Sequence, residues 1–108
     1  MYLRAGYFEG TIESRDFERF RAHVEREVVP LVLKMPGIRE LRVLWGREWQ
    51  DGAPPYVLAM EHAYDDKAAM EAALASPARD AMRAKLAEVL PLFKGHIRHV
   101  NYDVGFRR

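Results

Sequence analysis

YVLAMEHAY, residues Tyr56 to Tyr64, is the stretch on which the reading of this chain turns. It contains no Gly or Pro and is bounded by Pro54-Pro55 before and Asp65-Asp66 after. A short run this rich in aromatic and aliphatic residues suits a strand better than a helix. Alternate side chains of a strand point to opposite faces. Tyr56, Leu58, Met60, His62 and Tyr64 therefore share one face, and Val57, Ala59, Glu61 and Ala63 the other. Neither face is simply polar, which predicts a central strand covered on both sides. Glu61 is then the informative residue, because a carboxylate among apolar neighbours needs a partner or a purpose.

Working outward, Tyr2 to Gly10 reads as a first strand in which Leu3, Ala5 and Tyr7 alternate with Tyr2, Arg4, Gly6 and Phe8. Ser14 is the best helix N-cap after it, with Asp16 favourable in the first turn. Phe17, Phe20, Val24, Val28 and Leu31 recur at three- and four-residue spacing, the mark of an amphipathic helix. Pro30 predicts a kink or an end near Val29, and Pro36-Gly37 stops the helix. Arg39 to Arg47 is a second strand, with Leu41, Val43 and Trp45 opposite Glu40, Arg42 and Leu44. The turn-rich segment Glu48 to Pro55 leads into the central strand as an antiparallel hairpin. Asp65 or Asp66 caps the next helix, which runs to Ala75. Ser76-Pro77 restarts it, with Met82, Leu86, Val89 or Leu90, and Phe93 on its buried face. His96 to Val104 is the last strand.

The order is thus βαββαβ in one domain over residues 1–108, an α+β fold with a four-stranded antiparallel sheet and its helices on one face. Spatial order 4-1-3-2 places the first and third strands in the centre. The helix-free face is expected to carry Arg4, Gly6 and Phe8, Arg42 and Leu44, and Val57, Ala59, Glu61 and Ala63. A solvated face should be plainly polar, and this one is mixed and largely apolar. It predicts a homodimer with the two sheets face to face and a cavity between them.

Composition narrows the function classes. Seventeen basic and sixteen acidic residues leave a net charge of +1, without the electrostatic footprint of a nucleic-acid or anionic-membrane binder. The chain has no Cys, which removes a disulfide framework, thiolate catalysis and cysteine-based metal sites. The N-terminus carries no signal-peptide core, and no apolar run approaches membrane-spanning length, so a cytoplasmic protein is expected.

FRAHVEREVVPLVLKMPG, from Phe20 through Gly37, resembles the helix-plus-PG segment of the EthD-like proteins. Ala59-Met60-Glu61-His62-Ala63-Tyr64, followed by a helix and Ser76-Pro77, is similar to their third strand and its sequel, a pattern shared with antibiotic-biosynthesis-type monooxygenases. The resemblance implies a ferredoxin-like fold that dimerises into an α/β barrel. It also implies small, often aromatic or polyketide-like ligands, sometimes transformed without metal or organic cofactor. EthD-like proteins commonly carry a His two residues before the Pro-Leu pair; this chain has Val28 there, so that role does not transfer. His23 lies five residues earlier, about 140° away around the helix, and does not substitute for it on the same face.

Among candidate site residues, His96 and His99 have an H-x-x-H spacing, but on a strand they face opposite sides and cannot chelate one ion. His99 and Asn101 share a face. They either line a sheet edge or hydrogen-bond across the dimer, or they project into a pocket, where a neutral His can act as base or donor. Glu61 either pairs with Arg42 or Arg4 on flanking strands or serves as a carboxylate base of raised pKa. Tyr7, Trp45, Tyr64 and Tyr102 are core or interface residues unless a pocket recruits them. The sequence-level site is therefore Glu61 and His99 as catalytic residues, with Arg42, Asn101, Tyr7, Trp45 and Tyr64 binding ligand, and with no metal or cofactor. The expected function is binding of a small hydrophobic, aromatic or carbonyl-bearing molecule, with cofactor-free oxygenation or isomerisation. The alternative is a non-catalytic ligand-binding or accessory protein of the same architecture.

Overall fold

The four alternating runs form one antiparallel sheet. A computed structural model describes residues 1–108 and places β1 at Tyr2–Ile12, β2 at Glu40–Trp45, β3 at Tyr56–Tyr64 and β4 at Phe93–Asp103. Their order across the sheet is β2-β3-β1-β4, with β3 and β1 in the middle. The helices are α1 (Ser14–His23), α2 (Val29–Val32), α3 (Lys67–Leu74) and α4 (Pro77–Ala87). This is the ferredoxin-like βαββαβ arrangement, with the helices on one face. No helix is long and apolar enough to cross a membrane.

Pro30 shapes the first helical stretch. A π turn, Val24–Val28, joins α1 to α2, and the Val29 amide reaches back to the Val24 carbonyl. Pro30 has no N–H to give, and the widened turn absorbs the interruption without ending the helix. The buried stripe follows suit: Phe20, Val24, Val28 and Val32 lie at four-residue intervals, so Val32 takes the place expected of Leu31. α1 begins one residue earlier than a Ser14 cap requires: Ser14 is its first residue, and Glu13 stands at the cap position without a side-chain bond. The later caps form as expected. Asp66 accepts from the Ala69 amide at 2.8 Å, and Ser76 accepts from the Arg79 amide.

The core lies between the helices and one face of the sheet, built on Phe8, Phe20, Leu58, Tyr64 and Met35. Register decides which β1 residues face it. Phe8 pairs with Leu58, Gly6 with Met60 and Arg4 with His62, so all six lie on the helix-covered face. The expectation that Arg4, Gly6 and Phe8 occupy the helix-free face is corrected: Leu3, Ala5 and Tyr7 do. Both sets are of mixed polarity, and the bulk of Phe8, 6.5 Å from Phe20 between ring centres, is what the core takes. Arg42, Leu44, Ala59 and Glu61 lie on the helix-free face, as read from the sequence.

Candidate functional site

The helices do not cover the sheet evenly. α4 contributes no buried residue, although its apolar stripe is clear in the sequence. Met82 and Leu86 remain half-buried because they border a cavity of about 630 Å³. The cavity lies between the helix-covered face of the sheet and α2, α3 and α4, and its floor is Arg4, Gly6, Phe8, Met60, His62, Ile97 and His99. β4 is an edge strand held by its ladder with β1, and its exposed Ile97 and His99 leave the cavity open to solvent on that side. His23 steadies the far wall: its Nε2–H donates to the Lys85 carbonyl of α4 at 2.8 Å.

His62 is the polar centre of this floor. Its Nδ1 shares a 2.7 Å hydrogen bond with the Tyr64 hydroxyl. Burial, and then the nearby Arg4 guanidinium, lower its pKa to about 4, so the ring is neutral at pH 7. Burial pushes the Tyr64 hydroxyl up to about 12, which keeps it protonated. With that hydroxyl donating to Nδ1, the imidazole proton sits on Nε2. Every buried side-chain nitrogen and oxygen has a partner, and Nε2 has none in the protein; it therefore opens to the cavity. His99 leans across β1 over Gly6, where a Cβ would stand 3.4 Å from its Nε2. Its pKa is also lowered, by burial first and then by Arg4, Arg79 and Arg83. The arrangement offers two neutral imidazoles, able to donate or accept, in largely apolar surroundings.

The residues singled out from the sequence divide between the two faces. His99 lines the cavity, Tyr64 backs it through His62, and Asn101 accepts from Arg4 Nη1 at 3.1 Å. Glu61 pairs with Ala5 and Arg42, so it projects to the opposite side of the sheet from His99. The two proposed catalytic residues are not brought together, and Arg4 is not a same-face neighbour of Glu61. Arg42 donates to Glu61 Oε1 from Nε at 2.9 Å and from Nη2 at 2.5 Å. Tyr7 also lies on the helix-free face, 2.9 Å from Tyr102 between hydroxyls, beside a shallower hollow of about 350 Å³ lined with Tyr56, Arg98 and Val100. Trp45 belongs to the core edge: it packs edge-on against Phe17 and Phe20, and its Nε1–H donates to Glu25 at 2.9 Å.

Of the polar cavity residues, His62, Arg79, Asp80 and Arg83 were not singled out from the sequence, and Arg4 was read only as a possible partner of Glu61. His62 was legible in principle, because it alternates with Leu58 and Met60 on the face that the helices must cover. No group of three or more His, Asp, Glu or Cys side chains is placed to hold a metal ion.

No protein-family model and no curated protein matches the sequence. Solved structures do resemble the fold over almost its whole length. An ethyl tert-butyl ether D (EthD) family protein from Bacillus halodurans C-125 matches with a TM-score of 0.71 and 19% identity, covering 96% of this chain and 99% of that one. A putative antibiotic biosynthesis monooxygenase from Nitrosomonas europaea matches with a TM-score of 0.66 and 16% identity, covering 98% and 100%. A dimeric protein of unknown function with a ferredoxin-like fold, from Bacteroides fragilis NCTC 9343, matches with a TM-score of 0.70 and 15% identity, covering 95% of each chain. The resemblance read from residues 20–37 and 59–77 thus meets its counterpart in three dimensions: the chain has the ferredoxin-like fold found in EthD and antibiotic-biosynthesis-monooxygenase-type proteins.

Proposed function

We propose that this chain forms a homodimer and binds a small, largely apolar, carbonyl-bearing or aromatic molecule in the cavity between its sheet and α4. His62, with Tyr64 behind it, acts there as hydrogen-bond donor or base in a cofactor-free oxygenation or isomerisation. The observation that carries this reading is the neutral His62 on the floor of an apolar cavity of about 630 Å³, a size that suits a small-molecule site. With its pKa lowered to about 4 the neutral His62 imidazole is a weak base, and the neighbouring guanidinium groups offset this by stabilising the anion left when a proton is taken from an activated carbon or phenol. Dimerisation is supported by the apolar bias of the helix-free face, where Leu44, Val100 and Tyr102 are each at least 40% exposed. The structural neighbour from Bacteroides fragilis is itself described as dimeric.

The non-catalytic alternative has one observation in its favour. Val28, where EthD-like proteins commonly carry a histidine, is fully buried in the core and leaves no polar group at that position. The test is a panel of small aromatic ketones and phenols followed by NMR of the His62 and His99 ring resonances, then oxygen uptake and product analysis on those that bind. Turnover that falls roughly 10²–10⁴-fold in His62→Gln, with binding retained, supports catalysis. Binding without turnover supports the alternative, and ligands that leave both rings unperturbed remove the cavity from consideration.

A further inference from the structure

The charges around the cavity are unbalanced. Arg4, Arg79 and Arg83 line it, against the single carboxylate of Asp80. Asp80 is exposed in the first turn of α4, where it complements the helix N-terminus, and it lies within 4 Å of no cationic group. Of the arginines without an ion pair, Arg19, Arg26, Arg47, Arg83 and Arg108 are exposed to water. Arg4 and Arg79 are not: both are half-buried and face the cavity. Arg4 has only the neutral Asn101 amide oxygen at 3.1 Å, and Arg79 only the Leu74 carbonyl at 3.4 Å. Elsewhere in the chain a half-buried guanidinium is paired, as Arg21 is with Glu25.

A guanidinium removed from water without a counter-charge is costly, and two close to each other cost more. Burial and the neighbouring Arg79 both act against the charge on Arg4. The Asn101 contact orients the guanidinium without neutralising it, which preserves its remaining N–H groups for a planar, two-oxygen partner. The rest of the lining, Met60, Met82, Leu86 and Ile97, is apolar.

We propose that the cavity selects an amphipathic acid: a molecule whose carboxylate is held by Arg4, with Arg79 in support, and whose apolar body lies along Met60, Met82 and Leu86 beside His62. The inference rests on the cavity being the ligand site and adds the chemical class of what it takes. An anionic head at Arg4 also fixes the orientation of the ligand, since Arg4 is paired across the strands with His62.

The test is calorimetric titration of 2-naphthoate and octanoate, each against its primary amide, into the intact protein and three variants. The acids are expected to bind roughly 10–100-fold tighter than the amides, the range for hydrogen bonds to a charged group. Arg4→Met is expected to abolish that preference by weakening the acids far more than the amides, and Arg79→Gln to reduce it. Leu86→Trp, which fills the cavity, is expected to weaken acid and amide alike. The melting temperature of ligand-free Arg4→Met should hold or rise, because the variant removes a desolvated cation. Equal binding of acid and amide, both blocked by Leu86→Trp, overturns the anionic head and spares the cavity. Acid binding that survives both Arg4→Met and Leu86→Trp places the acid elsewhere on the surface and overturns the proposal. Binding of neither probe overturns the proposal together with the reading of the cavity.

Discussion

His62 carries the clearest consequence at the scale of single residues. Around it stand Tyr64 on its own strand, Arg4 on β1, His99 on β4 and Arg79 on α4. In the folded chain it takes up its proton near pH 4, against about 6.5 when unfolded, so between these values the unfolded chain binds more protons. Stability from this group is complete above about pH 6.5 and is lost as the pH falls toward 4, on the order of 3 kcal/mol. His99, shifted the same way, adds to the loss. Urea melts of His62→Gln between pH 7 and 4 should show a shallower acid limb than the wild type. An unchanged limb would remove the buried neutral imidazole from the account. Glu61 behaves differently. Its partner Arg42 has a side chain 66% exposed, while the carboxylate is 15% exposed. In a free monomer Glu61→Gln should cost under about 1 kcal/mol, as exposed pairs do. If a second subunit covers the pair, the loss should approach the roughly 3–5 kcal/mol of a broken buried pair and should appear in dimer dissociation. Ligand affinity in the cavity should not change in either case, and a change would draw Glu61 back into the site.

Elements are shaped by a few positions where the backbone has no room for a side chain. Gly10 and Gly95 pair directly across β1 and β4. A Cβ on Gly10 would lie 2.1 Å from the Lys94 carbonyl oxygen, and one on Gly95 2.1 Å from that of Glu9. This close approach sits where β4 begins, near Phe93, whose ring packs 5.4 Å from Phe8. Gly95→Ala must push the strands apart, and the expected loss is about 1–3 kcal/mol, the range for overpacking. Thermal melting reads it directly. A neutral outcome would show that β4 moves freely against β1 and that the cavity mouth is correspondingly soft. The Asp51-Gly52 turn shows the opposite use of glycine, with φ of 54° and 74° closing the bond from the Ala53 amide to the Gln50 carbonyl.

At the scale of the whole molecule, the sheet is covered on one side only. The uncovered side places the exposed Leu44, Val100 and Tyr102 beside small residues such as Ala5 and Ala59, an apolar surface on which a second sheet can pack. Introducing Leu44→Asp with Val100→Asp should shift the protein from dimer to monomer in sedimentation velocity at micromolar concentration. Far-ultraviolet circular dichroism should stay unchanged, because neither side chain belongs to the core. A monomeric wild type, or a double variant that sediments as the wild type does, would show that this face is not the interface. His62 and the cavity lie on the other side of the sheet, so the monomeric variant should still bind the probes of the cavity.

The sequence by itself determined the elements, their order and the layering. Those depend on local signals: period-two alternation in the strands, caps at Asp66 and Ser76, Pro30 and Pro36-Gly37 in the first helical stretch. The strand order follows as well, because right-handed crossovers leave few alternatives. The tertiary structure alone decided which face of β1 meets the helices. Arg4, Gly6 and Phe8 are no more uniform in polarity than Leu3, Ala5 and Tyr7, and only the pairing of Phe8 with Leu58 separates them. That one choice moved Arg4 away from Glu61 and set it beside His62. The cavity was equally out of reach of periodicity, since Met82 and Leu86 read as an ordinary buried stripe. They line a cavity because α4 stands off from β4, a distance set by packing between elements far apart in the chain.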